Sequence, residues 1–439
     1  MRKRTSLQGW ATRAAVLAVV IAAGVFFLPL AEQPDPWKTP GGPKLVAIHE
    51  LPDYGQACDP SYVAVAEDAN PFGALGVGST LAGAQNGAGT VTIDRDPIRQ
   101  IRDLAPIYGS VGINTTTDEV ILGDANFWSI RVFNRTDNTP AGVPFTQPKR
   151  IIRGVNAQIQ FINGIYIDPK NGDIYAVETD TGDKIIIFNK DDQGNVAPKR
   201  EISVPHRGFS LAVDEEKEEI FVGVHYPPEV AVFKKSATKD DKPLRRIQGE
   251  STRLSYVHGM ALDPKNKQLF VANWGRVSDY STPGTGRFED PSISVYPLGA
   301  DGDAAPLKII RGDKTQLNWP SQMTMDPDTG EIYVANDMGH SILVFKNTDE
   351  GNVAPTRVIK GDRTGLRNPL GIALDKKNNE FWVTNMGNSS AVAFPLKANG
   401  NVAPIRTIRS APAGKQSLKF GKVEALAYDP MRDVVWVPN

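Results

Sequence analysis

The sequence predicts an all-β fold, a closed seven-bladed β-propeller, on three observations. First, a Pro-x-Arg/Lys-x-Ile segment occurs seven times, at Pro97–Ile101, Pro148–Ile152, Pro198–Ile202, Pro243–Ile247, Pro306–Ile310, Pro355–Ile359 and Pro404–Ile408. A period of about 50 residues marks stacked supersecondary units. Second, each unit holds short apolar runs divided by polar turns, the pattern of an antiparallel sheet. In the unit starting at Gly371 the runs are Ile372–Leu374, Glu380–Thr384, Ala391–Phe394 and Ile405–Ile408, strands A to D of one blade. Third, the two ends complement each other. After Ile408 the chain supplies strands A and B (EALAYDPMRDVVWVPN), and Gly89–Ile93 with Pro97–Ile101 supplies C and D. A first and last segment sharing one blade would close the ring and remove its sheet edges. Ser61–Asp68 competes for the strand B slot, which leaves six or eight blades as the alternatives.

The elements recur in order. Strand A ends on Asn114, Asp168, Asp214, Asp263, Asp326, Asp375 and Asp429. Asx side chains bond the backbone two residues on, so these residues are expected to close turns and not to bind metal. Asn273, Asn336 and Asn385 end strand B and take the same turn role. The strand D bases Arg99, Arg150, Arg200, Arg245, Lys308, Arg357 and Arg406 would lie on the outermost strand, where charge protects an edge and long stems cover apolar surface. A carbohydrate or anion belt is the alternative reading of those bases.

Composition bounds the function. The formal net charge of −1 gives no electrostatic reason to expect nucleic acid. Cys58 is the single cysteine, so no internal disulfide forms, and its plain reading is a buried apolar side chain. Arg2, Lys3, Arg4 and Arg13 precede an apolar run from Ala14 to Ala31. Residues 1–31 are therefore expected to form a hydrophobic helix, either a signal peptide or a transmembrane anchor, with the remainder periplasmic or secreted. Residues 32–60 read as a Pro/Gly-rich linker and 61–439 as the propeller. The Gly/Ala stretch Gly73–Gly89 lacks the GK[ST] ending of a phosphate loop. No GxSxG or HExxH occurs, and His49, His206, His225, His258 and His340 fall in no metal-ligand spacing.

The string G-(I/M)-A-L-D-P-x-N-x-x-(L/I)-(F/Y)-V-A-N followed by S-I-x-V-F resembles NHL-type propellers and the related gluconolactonase-like group over about 370 residues. The gluconolactonase-like resemblance implies a divalent metal, calcium or zinc, in the central channel, held by acidic and amide side chains and activating water on a lactone or ester. Glu424, Asn163 and His258 are the matching chemical types, without the full acidic cage.

Functional residues are expected where the repeat is broken. The position before the small residue of strand A reads Gly109, Asn163, Phe209, His258, Ser321, Leu370 and Glu424 along the chain. The longest loop between strands B and C runs from Trp274 to Pro291 (WGRVSDYSTPGTGRFEDP). Long loops on a rigid scaffold commonly bind. Trp274, Arg276, Tyr280 and Arg287 from it, with Trp319 and Tyr226 beside it, compose an aromatic and basic ligand surface, joined at the rim by Asn163 and His258. The expected function is an extracytoplasmic binding or scaffold propeller, without catalysis or a cofactor, whose loop face takes a protein, small-molecule or glycan partner. A metal-dependent hydrolase is the alternative.

Overall fold

Strand after strand appears where the apolar runs lie. The computed structural model describes residues 98–103, 107–179, 181–278, 286–408 and 425–438, all within the compact unit Ser79–Asn439. The first blade contains β1 (Tyr108–Asn114), β2 (Glu119–Asp124), β3 (Ser129–Asn134) and β4 (Arg150–Ile152). The second contains β5 (Ile162–Ile167), β6 (Ile174–Glu178), β7 (Lys184–Phe188) and β8 (Arg200–Ser203). In the third are β9 (Gly208–Asp214), β10 (Glu219–Val224), β11 (Glu229–Lys234) and β12 (Arg245–Gln248). The fourth joins β13 (Val257–Asp263) and β14 (Gln268–Asn273) to β17 (Ser292–Pro297) and β18 (Lys308–Arg311), with a separate hairpin of β15 (Arg276–Ser278) and β16 (Gly286–Phe288) between them. The fifth has β19 (Pro320–Asp326), β20 (Glu331–Asn336), β21 (Ser341–Lys346) and β22 (Arg357–Ile359). The sixth has β23 (Pro369–Asp375), β24 (Glu380–Asn385), β25 (Ser390–Pro395) and β26 (Arg406–Ile408).

The protein is an all-β propeller with six four-stranded blades among the described residues. This corrects the expected count of seven. The C-terminal hairpin, β27 (Ala427–Asp429) and β28 (Val434–Trp436), forms a two-stranded sheet, with β27 packed against both β23 and β1. Of the expected seventh blade, Gly89–Ile93 lies outside the described residues. Residues 98–103 form no strand; they exchange hydrogen bonds with the strand C to D loop of the first blade instead, Gln100 N–H to Asn138 Oδ1 at 2.9 Å and Thr139 N–H to the Gln100 carbonyl at 2.8 Å. The expected N-terminal helix and linker also lie outside the described residues. Among those described, no helix is long and apolar enough to cross a membrane.

The core lies between blades. Tyr175, Val177, Ile185 and Ile187 of the second pack on Ile220, Val222, Ala231 and Phe233 of the third, and the same layering repeats around the ring. Sheets covered on both faces bury whole strands, so β2 and β24 are buried at every position. The Asx turns close as expected: Asn114, Asp168, Asp263 and Asp375 each accept a backbone N–H two or three residues on.

Two expectations change in detail. The strand D bases are clamps instead of free edge charges: Arg150, Arg245, Arg357 and Arg406 turn inward onto Glu119, Glu219, Glu331 and Glu380 at the start of strand B in their own blade. Arg150, Arg200, Arg245, Lys308 and Arg357 also donate to a backbone carbonyl of the following blade, at Lys190, Ala237, Leu298, Asn347 and Leu396. Likewise, Asn273, Asn336 and Asn385 do not turn their own loop. Their Oδ1 atoms accept the N–H of Ser255, Asn318 and Arg367 in the loop entering strand A, which pins that loop to the sheet.

The Gly-Asn/Asp step before strand D joins blades. Ile152, Ile247, Ile310 and Ile359 bridge Gly194, Gly302, Gly351 and Gly400 of the next blade. The following Asn195, Asp303, Asn352 and Asn401 then accept N–H groups of Asn156, Ser251, Lys314 and Arg363 at 2.7–2.9 Å. Gly312 makes room for this, with φ 122° and ψ 174°, a region that essentially only glycine occupies. A Cβ there would meet Asn352 at 2.6 Å, whereas at Gly351, φ 73°, a Cβ would meet nothing within 4 Å. Gly351→Ala should therefore cost about 1–2 kcal/mol of backbone strain alone. Gly312→Ala should cost about 2 kcal/mol more through loss of the staple, read by urea unfolding. Equal costs would show that the staple does not join the blades.

Candidate functional site

Antiparallel blades place the loops between strands B and C, and those from strand D to the next strand A, on one face. On it, blades three to five carry a continuous series of stacked rings. Trp319, just before β19, stacks on Trp274, just after β14, at 4.6 Å between centroids. Trp274 lies flat on His258 at 3.4 Å and 4°, and Phe209 covers His258 at 4.2 Å. Phe209 continues to His225 at 4.5 Å, and His225 to Tyr256 at 4.6 Å and 4°. The hydroxyls of Tyr256 and Tyr226 are hydrogen-bonded, and His206 closes the series beside Tyr226 at 6.0 Å.

Two arginines sit over these rings. Arg207 is 5.1 Å from the Tyr226 centroid, and Arg276 is 5.5 Å from Tyr256 and 5.9 Å from Phe288. Trp319 is the outer end of the stack and is 39% exposed. It holds φ 55°, a left-handed conformation that Asn368 adopts at the matching loop position of the next blade. Asparagine tolerates that region; a bulky tryptophan does so only under strain held by its surroundings.

Burial fixes the charge of this array. Loss of solvent pushes His225 down to about 3, with the Arg207 charge adding to it, and holds His258 well below the usual imidazole range. Both rings are neutral at physiological pH, so the array offers flat, apolar faces with positive charge supplied by arginines.

Of the residues expected at the site, Tyr226, His258, Trp274, Arg276 and Trp319 come together. Arg287 lies on the exposed β15–β16 hairpin and pairs with Glu289 at 3.0 Å. Asn163 lies beside the array at Phe209: it lines a cavity of about 250 Å³ with Tyr166, Phe209, Leu211 and Gln322, and its Nδ2 donates to the Phe209 carbonyl at 3.0 Å. Tyr280 and Glu424 lie outside the described residues. Of the expected calcium or zinc ligands, His258 lies between the Trp274 and Phe209 rings, and Asn163 donates through Nδ2 to a backbone carbonyl. Among the described residues no three His, Cys, Asp or Glu side chains converge as metal ligands.

Sequence reasoning missed His225, Tyr256 and Phe288 as members of the array, and passed Phe209 over as an apolar rim residue. A signal was present for His225: strand B ends in Asn273, Asn336 and Asn385 in blades four to six but in Val224-His225-Tyr226 in blade three. No protein-family model matches the chain, and no curated protein matches it significantly.

Glu178 ends strand B of blade two, where those asparagines end it elsewhere, and both its oxygens accept the Gln160 N–H at 3.0 Å. Burial pushes it up to about 7, opposed by the Gln160 N–H, the Lys184 charge and the Phe161 backbone. A raised carboxyl contributes stability that is full below its unfolded value near 4.5 and is lost as pH rises through 7. Wild type should therefore lose up to about 3 kcal/mol at this group between pH 4.5 and 8. Glu178→Gln, which keeps an acceptor, should melt higher than wild type at pH 8 and match it at pH 4.5. The same offset at both pH values would refute the assignment.

Proposed function

We propose that this chain is a binding propeller whose loop face takes a partner or ligand on the aromatic and basic surface of blades three to five. The observation that carries the reading is the ring series from Trp319 through Trp274 and His258 to Tyr256, open at Trp319 and flanked by Arg207 and Arg276. Aromatic and arginine side chains dominate binding energy because they offer large, rigid contact area with a polar edge. The blade motif supports placing the chain with NHL-type propellers. The basic and apolar N-terminal pattern supports an extracytoplasmic location, by signal peptide or anchor.

Trp319→Ala should weaken ligand or partner capture at least about 10-fold, with a stability change under about 1 kcal/mol, because the ring is largely supported on one side only. Intrinsic tryptophan emission and thermal melting of the full chain read both quantities. Capture unchanged in this variant would move the binding surface elsewhere.

The same proposal extends to ring closure. Residues 98–103 lie against blade one as β12 and β22 lie against the blades that follow them: Gln100, Arg246 and Val358 each donate an N–H to the side chain of Asn138, Asp301 or Asn399. β27 packs against both β23 and β1, so both ends of the described chain support the six-bladed ring where it closes. Truncation after Ser410 should then abolish cooperative unfolding. A truncated chain that melts cooperatively would show that six blades suffice.

A further inference from the structure

Arg276 differs from three of the strand D arginines. Arg150, Arg245 and Arg357 are each paired with a glutamate of their own blade. Arg276 is held between the Tyr256 and Phe288 rings and makes no ion pair and no side-chain hydrogen bond among the described residues. Among the described residues of this loop, Glu289 pairs with Arg287 and Asp290 with Arg311.

We propose that Arg276 is the oxyanion receptor of this face, binding a carboxylate, sulfate or phosphate of a ligand whose flat apolar part lies on Trp319. The proposal rests on the binding reading above and names its ligand chemistry. A guanidinium in contact with two rings is restrained by them, so less side-chain freedom is lost on binding. Its forked donors match an oxyanion, which they can grip with two parallel hydrogen bonds. The surrounding charge agrees. His225 and His258 are neutral and bring no charge of their own, which leaves Arg276 as the cation in contact with the Tyr256 ring. Trp274 lies two residues before Arg276 and supports Trp319, so one loop carries both the cation and the ring beneath Trp319.

The test titrates the full chain with benzoate, phenyl sulfate, phenyl phosphate and the neutral isostere benzamide, reading tryptophan emission and melting temperature. An anionic probe should bind at least about 10-fold tighter than benzamide, and Arg276→Gln should remove that preference. Arg276→Lys should retain part of it, since charge remains but the fork is lost. The three anions identify which oxyanion is preferred. If benzamide binds as well as the anions, or if Arg276→Gln binds as wild type does, the assignment is wrong. Loss of every probe in Trp319→Ala, with no loss in Arg276→Gln, would leave the binding surface standing and overturn the receptor alone. No response of wild type to any probe overturns the receptor assignment, whereas Trp319→Ala tests the surface separately through partner capture.

Discussion

The ring depends on the joint between strand D of one blade and the loop before strand D of the next. A blade alone exposes two apolar faces, and packing on its neighbours covers them, but apolar contact does not fix the angle between sheets. The directional bonds do. A backbone bridge at Gly194, Gly302, Gly351 or Gly400, an Asn or Asp acceptor beside it, and a strand D base reaching a carbonyl of the following blade set that angle at successive boundaries. Each bond contributes only about 1 kcal/mol net, so the joints add direction more than strength and act as a register.

A rigid ring frees the upper loops from any structural duty. In blades four to six the end of strand B is spent on an asparagine that pins the incoming loop. Blade three gives up this pin, and Val224 is followed by His225 and Tyr226, which enter the ring stack. The joints below hold the blade while its upper loops carry rings that would not repay burial in a turn. Blade three thus adds His225 and Tyr226 to a sector whose tryptophans stand on the pinned blades four and five.

The sequence made the strands and the Asx turns legible, because both follow from local patterns: alternation of apolar runs and an acid or amide just before a turn. The clamps were less so. The strand D base and its glutamate lie 26 residues apart in blades three, five and six, a spacing no hydrophobic period reveals. Read as a repeated pair, Glu219 with Arg245 and Glu331 with Arg357 would have suggested it. The aromatic site was half legible. Trp274, Trp319, Tyr226, Arg276 and His258 stand out as departures from the repeat, whereas Tyr256 and Phe209 look like ordinary apolar residues until neighbouring blades bring them together. The seven-blade count rested on pairing two distant ends, and only β27–β28 of that sheet forms strands among the described residues.

The boundary between blades two and three shows what the joint must supply. It has no glycine bridge like those at Ile152, Ile247, Ile310 and Ile359. In its place Lys235 is buried between Asp168 of blade two and Glu215 of blade three, at 3.0 and 2.8 Å, and its carbonyl accepts the Tyr175 hydroxyl at 3.2 Å. A buried ammonium is costly unless fully paired, and here two carboxylates pair it. Substituting charge for backbone bonds keeps the direction of the joint but makes it sensitive to the loss of either partner. The blade that begins after this boundary is the one whose upper loops carry His225 and Tyr226. Directional bonding at the joints and aromatic freedom in the loops are two sides of one constraint: the angle between blades must be held somewhere, and this chain holds it outside the ring stack.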